Sequence, residues 1–148
     1  MYKRGLAILA VLGAIAGAVS VTSAGATTTS PFPSSIEQLN LDGYQFISSY
    51  PLGFDAGNTF QQSYDTKTAS YVTLKGPFFG SSGSGISYIA LPIAHNIFMV
   101  VWLFSDGTHN SFVYDLNNGR ISVVTNGLAG APSLGEVKLI RVGAHPIP

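Results

Sequence analysis

The sequence contains no cysteine and little charge: 148 residues, of which 9% are Asp, Glu, Lys or Arg. Without cysteine there is no disulfide framework, thiolate metal site, cysteine nucleophile or lipidated N-terminal Cys. Seven basic and seven acidic residues balance to zero, so no broad basic face exists to neutralise a nucleic-acid backbone. None of the seven Asn stands in an N-x-S/T sequon. The length allows one compact domain and excludes a multidomain enzyme.

Apolar residues run long at only one place. Lys3 and Arg4 precede an uncharged stretch, Gly5–Val21, followed by Thr22, Ser23 and the small triplet Ala24-Gly25-Ala26. A basic start, an apolar middle and an A-x-A end read as a secretory signal peptide over residues 1–26, cleaved after Ala26. The apolar stretch has 17 residues, diluted by Gly and Ala, and is short for a spanning helix, which needs about 20. Cleavage leaves a chain with five basic and seven acidic residues. It is expected to be secreted or periplasmic, with no stable membrane insertion after cleavage, and bacterial in character, since export without Cys is ordinary there.

Residues 27–40 begin with Thr, Ser and Pro and are expected to form a flexible leader. Ser35–Leu39 suits one helical turn, with Ser35 as cap and Gln38 in the capping-box position. From Tyr44 onward, short runs rich in Val, Ile, Tyr, Phe and Thr alternate with Gly, Asn and Asp. Eight strands are predicted, over Tyr44–Ser49, Thr59–Asp65, Ser70–Lys75, Gly85–Leu91, Ile97–Phe104, His109–Leu116, Arg120–Asn126 and Glu136–Val142. Ser105-Asp106-Gly107 and Asn117-Asn118-Gly119 suit turns that need positive φ, so Ile97–Asn126 reads as a three-stranded meander. Phe79–Gly85 (FGSSGSG) reads as a soft loop able to act as a lid. Thr125–Pro132 is expected to break the last strand away from the meander, and residues 144–148 to form a C-terminal tail.

Eight closely spaced strands without intervening helices imply an all-β domain over residues 41–143. Consecutive hairpins favour a small closed or nearly closed antiparallel up-and-down barrel over a sandwich, and closure removes exposed edges. A barrel of this size is filled by side chains or holds one small ligand. Alternation places Phe98, Val100, Trp102 and Phe104 on one face of their strand, and Ile97, Met99, Val101 and Leu103 on the other. Both faces are apolar, so each requires cover. Met99, Val101 and Leu103 are candidates for a homodimer face.

Aromatic residues are plentiful beside so little charge. Tyr and Trp join an apolar body to one polar handle, the mixture that lines small-molecule pockets. Tyr71, Tyr88, Trp102 and Tyr114 are the candidate ligand-binding residues, for a small apolar or aromatic ligand. His95, His109 and His145 stand singly, without metal-ligand spacing, so no metal or cofactor is expected. His109, Ser111 and Asp115 share a strand face, but the outer two are about 20 Å apart at roughly 3.3 Å per residue, too far for a relay. Gly80–Gly85 lacks the Lys and following helix of a phosphate-binding loop.

The stretch Tyr88–Asn126 carries a family resemblance. A strand ending in Val101-Trp102, then Asp106-Gly107-Thr108, then Val113-Tyr114-Asp115-Leu116-Asn117-Asn118-Gly119 resembles the MoaF-like domain of the calycin group. Gly57-Asn58-Thr59-Phe60 leading to Tyr64, with Ser70–Lys75, resembles that family's opening hairpin. The resemblance implies a lipocalin-like barrel with an internal cavity and supplies no catalytic motif. Phenolic acid decarboxylases share this general barrel and use a Tyr pair, an Arg and a carboxylate. Tyr71 and Tyr88 could serve as that pair, whereas Arg120, Lys138 and Arg141 lie near strand ends or on a strand of unassigned orientation. Neither Glu37 nor Glu136 falls in the interior of a predicted strand. An enzymatic alternative is therefore a small lyase or isomerase acting on a phenolic or carbonyl substrate through Tyr hydroxyls, with His109 as acid or base.

Overall fold

The structure is a computed structural model that describes residues 37–125 and 132–148. The expected signal peptide, the cap Ser35 and most of the Thr125–Pro132 break lie outside the described residues. Eight strands follow one another: β1 (Gln45–Leu52), β2 (Thr59–Tyr64), β3 (Thr68–Lys75), β4 (Ser82–Ala94), β5 (Ile97–Leu103), β6 (His109–Asp115), β7 (Arg120–Thr125) and β8 (Ser133–Arg141). Each pairs antiparallel with the next, and β8 returns to β1 to close the barrel. Every expected strand is present. Among the described residues no helix is long and apolar enough to cross a membrane.

The turns form as their residues dictate. Gly107 and Gly119 take positive φ, 85° and 63°, the backbone region that side chains resist. At three turns a carboxylate accepts hydrogen bonds from the residues that follow it. Asp65 accepts from the Lys67 and Thr68 amides at 2.9 and 2.6 Å. Asp106 accepts from the Thr108 amide at 2.9 Å and its hydroxyl at 2.6 Å. Asp115 accepts from the Asn118 amide at 3.1 Å and its side chain at 2.7 Å. These local bonds satisfy backbone donors that the ladder cannot reach.

Alternation puts one face of each strand inside. Phe46, Ser48 and Tyr50 from β1, Gln62 and Tyr64 from β2, and Phe98, Val100 and Trp102 from β5 are buried, as are Phe112 and Tyr114 from β6. The outer apolar residues of β5 divide: Met99 and Val101 are half-buried and Leu103 is exposed. Exposed Ile89, Val113 and Val124 extend the same outer surface across the neighbouring strands.

Two expectations need correction. Glu37–Leu39 is not helical; the Leu39 amide instead donates to the Ala90 carbonyl at 2.8 Å, docking this segment on β4. The loop expected over Phe79–Gly85 is largely strand, since β4 begins at Ser82 and pairs Gly83 with Tyr71. The reason is space. A Cβ on Gly83 would lie 2.6 Å from Tyr71 Cε1, so this glycine admits a ring rather than marking a flexible connector.

The barrel has unlike ends. At one, the β1–β2 and β3–β4 loops and the β5–β6 turn form a rim. At the other, residues 39–44 and the tail close a floor. Tyr44 donates its hydroxyl to the His145 carbonyl at 2.6 Å, Ile147 packs on the core, and the Asn96 amide donates to the Pro148 carbonyl at 2.7 Å. Above this floor Phe46, Tyr64, Phe98 and Tyr114 form a continuous group of rings. Phe98 and Tyr114 stack at 4.8 Å and 4°, and Phe46 lies 5.1 Å from Tyr114.

Candidate functional site

A cavity of about 180 Å³ occupies the rim half of the barrel. Its wall is Tyr50 from β1, Phe60 and Gln62 from β2, Tyr71 from β3, Trp102 from β5, Asn110 and Phe112 from β6, and Val123 from β7. Asp55, Phe78, Ser81 and Phe104 line it from the rim. The rings brace one another: Tyr71 stacks on Trp102 at 5.9 Å and 23°, Phe60 meets Tyr71 edge-on at 6.2 Å, and Trp102 lies 4.8 Å from Phe112. Such contacts hold aromatic side chains in defined orientations.

Small residues behind the rings set how deeply they sit. Gly83 lies against Tyr71, and a Cβ on Gly135 would come within 2.9 Å of Tyr50 Cδ1 and strike the Ser49 carbonyl. Both tyrosines of the wall are thus seated over a glycine of an adjoining strand.

The rim is tied together by Asn58, which is buried. Its Oδ1 accepts from the Phe78 amide at 2.8 Å, and its Nδ2 donates to the Asp55 carbonyl at 3.2 Å. Asp55 is anchored in turn, accepting from the Ser133 hydroxyl at 2.9 Å. Partial burial raises the Asp55 pKa, and the Ser133 bond opposes that rise only in part.

Of the four expected ligand-binding residues, the structure brings Tyr71 and Trp102 to the cavity. Tyr88 and Tyr114 also point inward but at the floor. Tyr88 donates its hydroxyl to the Asp65 carbonyl at 2.8 Å and accepts from the Leu41 amide at 3.3 Å. Tyr114 and Tyr64 place their hydroxyls 2.8 Å apart, and Tyr114 donates to Gln62 Oε1 at 3.0 Å. Gln62 alone of that trio lines the cavity. Burial is the largest influence on all of these phenols and pushes the pKa of Tyr50, Tyr64, Tyr88 and Tyr114 above the ordinary tyrosine value.

Tyr50, Gln62, Asn110 and Asp55 were not singled out by sequence. Three buried side-chain atoms in the wall lack a hydrogen-bond partner: the Tyr50 hydroxyl, Trp102 Nε1 and Asn110 Oδ1. Ser48 Oγ, adjacent on the inner face of β1, is a fourth such atom among the described residues. Ser48 lies near enough to Tyr50, and Trp102 to Tyr64, to ease ionisation of the phenol. Neither pair reaches the distance and angle of a hydrogen bond. Buried polar atoms are nearly always paired, with protein or with water, and three of these four belong to residues that line one cavity.

His109 and Asp115 occupy opposite ends of β6, so the alternating His109-Ser111-Asp115 set forms no relay. Among the described residues no three His, Asp or Glu side chains gather closely enough to hold a metal. A second depression, of about 750 Å³, lies on the outer wall across β7, β8 and β1, with Ile47, Leu134 and Lys138 among its residues.

No family model matches the chain, and no curated protein sequence matches it. The chain is similar in structure to a protein from Burkholderia vietnamiensis whose crystal structure is described as that of a "putative beta-lactamase". The TM-score is 0.57 and the identity 20%, over 70% of this chain and 99% of that one. At that identity the likeness is one of fold: a closed eight-stranded antiparallel barrel.

Proposed function

We propose that this chain is an exported, lipocalin-like binding protein of MoaF-like type that holds a small apolar or aromatic molecule in its barrel. The observation that carries the proposal is the cavity of about 180 Å³ walled by Tyr50, Phe60, Tyr71, Trp102 and Phe112. An apolar cavity of about 150 Å³ accommodates benzene, so this one suits a single ring with a short substituent. Ring area supplies affinity, and the unpartnered polar atoms supply orientation.

Trp102 is the only Trp in the chain, so its emission reports on the wall directly. Titration with phenol or benzyl alcohol should quench or shift that emission and saturate. A strictly linear response, with no binding seen by calorimetry, would defeat the proposal. Binding that leaves the emission unchanged would remove Trp102 from the contact.

The lyase or isomerase reading has one observation in its favour, the Tyr64 and Tyr114 hydroxyls 2.8 Å apart. Two facts weigh against it. Both phenols are pushed up by burial, away from the pKa near working pH that acid–base catalysis favours. Both also lie below the cavity rather than on its wall. The Tyr71 and Tyr88 pair is divided between wall and floor. The outer apolar surface around Met99, Val101 and Leu103 is assigned to a contact between two copies, which sedimentation velocity would reveal as a dimer and refute as a monomer.

A further inference from the structure

The charge around the cavity is one-sided. Asp55 is the one carboxylate that lines the cavity, and among the described residues no Lys, Arg or His lines it. Residues 126–131, between β7 and β8, read Asn-Gly-Leu-Ala-Gly-Ala and add no ionisable side chain. Asp55 has hydroxyl, amide and ring neighbours but no cation to balance it on this wall.

A ligand carboxylate entering here could take hydrogen bonds from the Trp102 N–H and the Tyr50 O–H, but it would lose its water, meet no counter-charge and face Asp55. Burying an ionised group unpaired is severely unfavourable. A ligand cation meets the reverse situation. Phe60, Tyr71, Trp102 and Phe112 line the cavity, and an aromatic face carries the negative side of its quadrupole, which attracts a cation. Asn110 Oδ1 and the Tyr50 oxygen are buried acceptors without a donor, and an ammonium has three N–H groups to give. Asp55 then supplies the opposite charge.

Resting on the binding function proposed above, we infer that the cavity is selective for small aromatic amines: one ring inside the barrel and a protonated amine directed to Asn110, Tyr50 and Asp55. The geometry needs no catalytic step and no cofactor.

Three probes of nearly equal shape separate the possibilities: benzylamine, protonated at neutral pH, neutral benzyl alcohol, and anionic benzoate. Titrated against the full chain by Trp102 emission and calorimetry, benzylammonium should bind about tenfold more tightly than benzyl alcohol, the scale of one cation–π contact joined to a partly exposed ion pair. Benzoate should bind more weakly than either. In Asp55→Asn the ratio of benzylammonium to benzyl alcohol affinity should fall several-fold. Circular dichroism of the free variant shows that the barrel is intact, and Asp55→Glu should restore part of the ratio. Alcohol or benzoate binding as well as the amine would overturn the inference and leave the aromatic-ligand function standing. An Asp55→Asn variant with an unchanged ratio would overturn the role of Asp55. If none of the three probes binds, both the inference and the function beneath it fall.

Discussion

Replacing Tyr114 by Phe should destabilise the barrel far more than the same change at Tyr64, although the two hydroxyls share a hydrogen bond. Proton counting gives the reason. Tyr114 has one O–H, and Gln62 Oε1, which cannot donate, takes it at 3.0 Å. The 2.8 Å contact between the phenols must therefore be Tyr64 donating to Tyr114. Tyr114→Phe leaves Gln62 Oε1 without a donor and the Tyr64 O–H without an acceptor, both in residues that are nearly or fully buried. At about 1–3 kcal/mol for each orphaned group, less some relaxation, the loss should be roughly 2–4 kcal/mol. The ring keeps its stack on Phe98 and its contact with Phe46, so no cavity term is added. Tyr64→Phe leaves the bond to Gln62 intact and removes only one neutral hydrogen bond, for about 1 kcal/mol. With a shift of about 4 °C per kcal/mol for a domain of this size, the Tm should fall by roughly 8–16 °C in the first variant and about 4 °C in the second. Thermal unfolding followed by circular dichroism reads both. Equal losses, or a larger loss for Tyr64→Phe, would refute the assigned direction of the hydrogen bonds.

Other consequences follow from the same structure. Gly83→Ala should push Tyr71 off Trp102 and shift the Trp emission while leaving the far-ultraviolet spectrum of the sheet in place; an unchanged emission would show that Tyr71 is not seated on Gly83. Asn58→Ala strands the Phe78 amide, while the Asp55 carbonyl keeps the Asn58 backbone amide as its donor; it should cost about 1–3 kcal/mol and loosen the rim so that probe dissociation accelerates in stopped-flow. In acid, the lowered pKa values of Asp65, Asp106 and Asp115, each held down first by hydrogen bonds within its own turn, give a stabilisation present above the ordinary carboxylate pKa near 3.9. That contribution fades as pH falls through the folded values, so Tm should drop below about pH 4, and less steeply once all three residues are Asn. In alkali the sign reverses. Tyr50, Tyr64, Tyr88 and Tyr114 have raised folded pKa values, and the stabilisation they give below about pH 10 is lost as pH climbs. Their phenolate absorbance should appear together with loss of the folded spectrum rather than before it.

The strands and turns were legible because their signals are local. Asp106-Gly107 and Asn118-Gly119 marked reversals, and alternation in β5 and β6 put Phe98, Trp102, Phe112 and Tyr114 on the inner face. Alternation says whether a side chain faces inward but not how high it sits along the barrel axis. Trp102 and Tyr114 therefore looked equivalent in sequence, yet one lines the cavity and the other belongs to the floor. Tyr50 falls just beyond the strand predicted over Tyr44–Ser49. β1 instead continues to Leu52 across an irregularity in its pairing with β8, where the N–H that Pro51 lacks does no harm. Asp55 and Asn110 acquire meaning only when sheet closure brings loop and strand together, a relation with no local signature. The FGSSGSG segment looked flexible by composition, while its role in packing against a distant ring was invisible without the register.

With the floor plugged by stacked rings and the tail, the chamber is a cul-de-sac. A guest of the proposed kind would enter and leave on the rim side, where Phe78 and Phe104 line the cavity. Changes confined to the two rim rings, Phe78 and Phe104, should accelerate arrival and departure by the same factor, so that traffic quickens while occupancy at equilibrium stays where the inner wall and Asp55 set it.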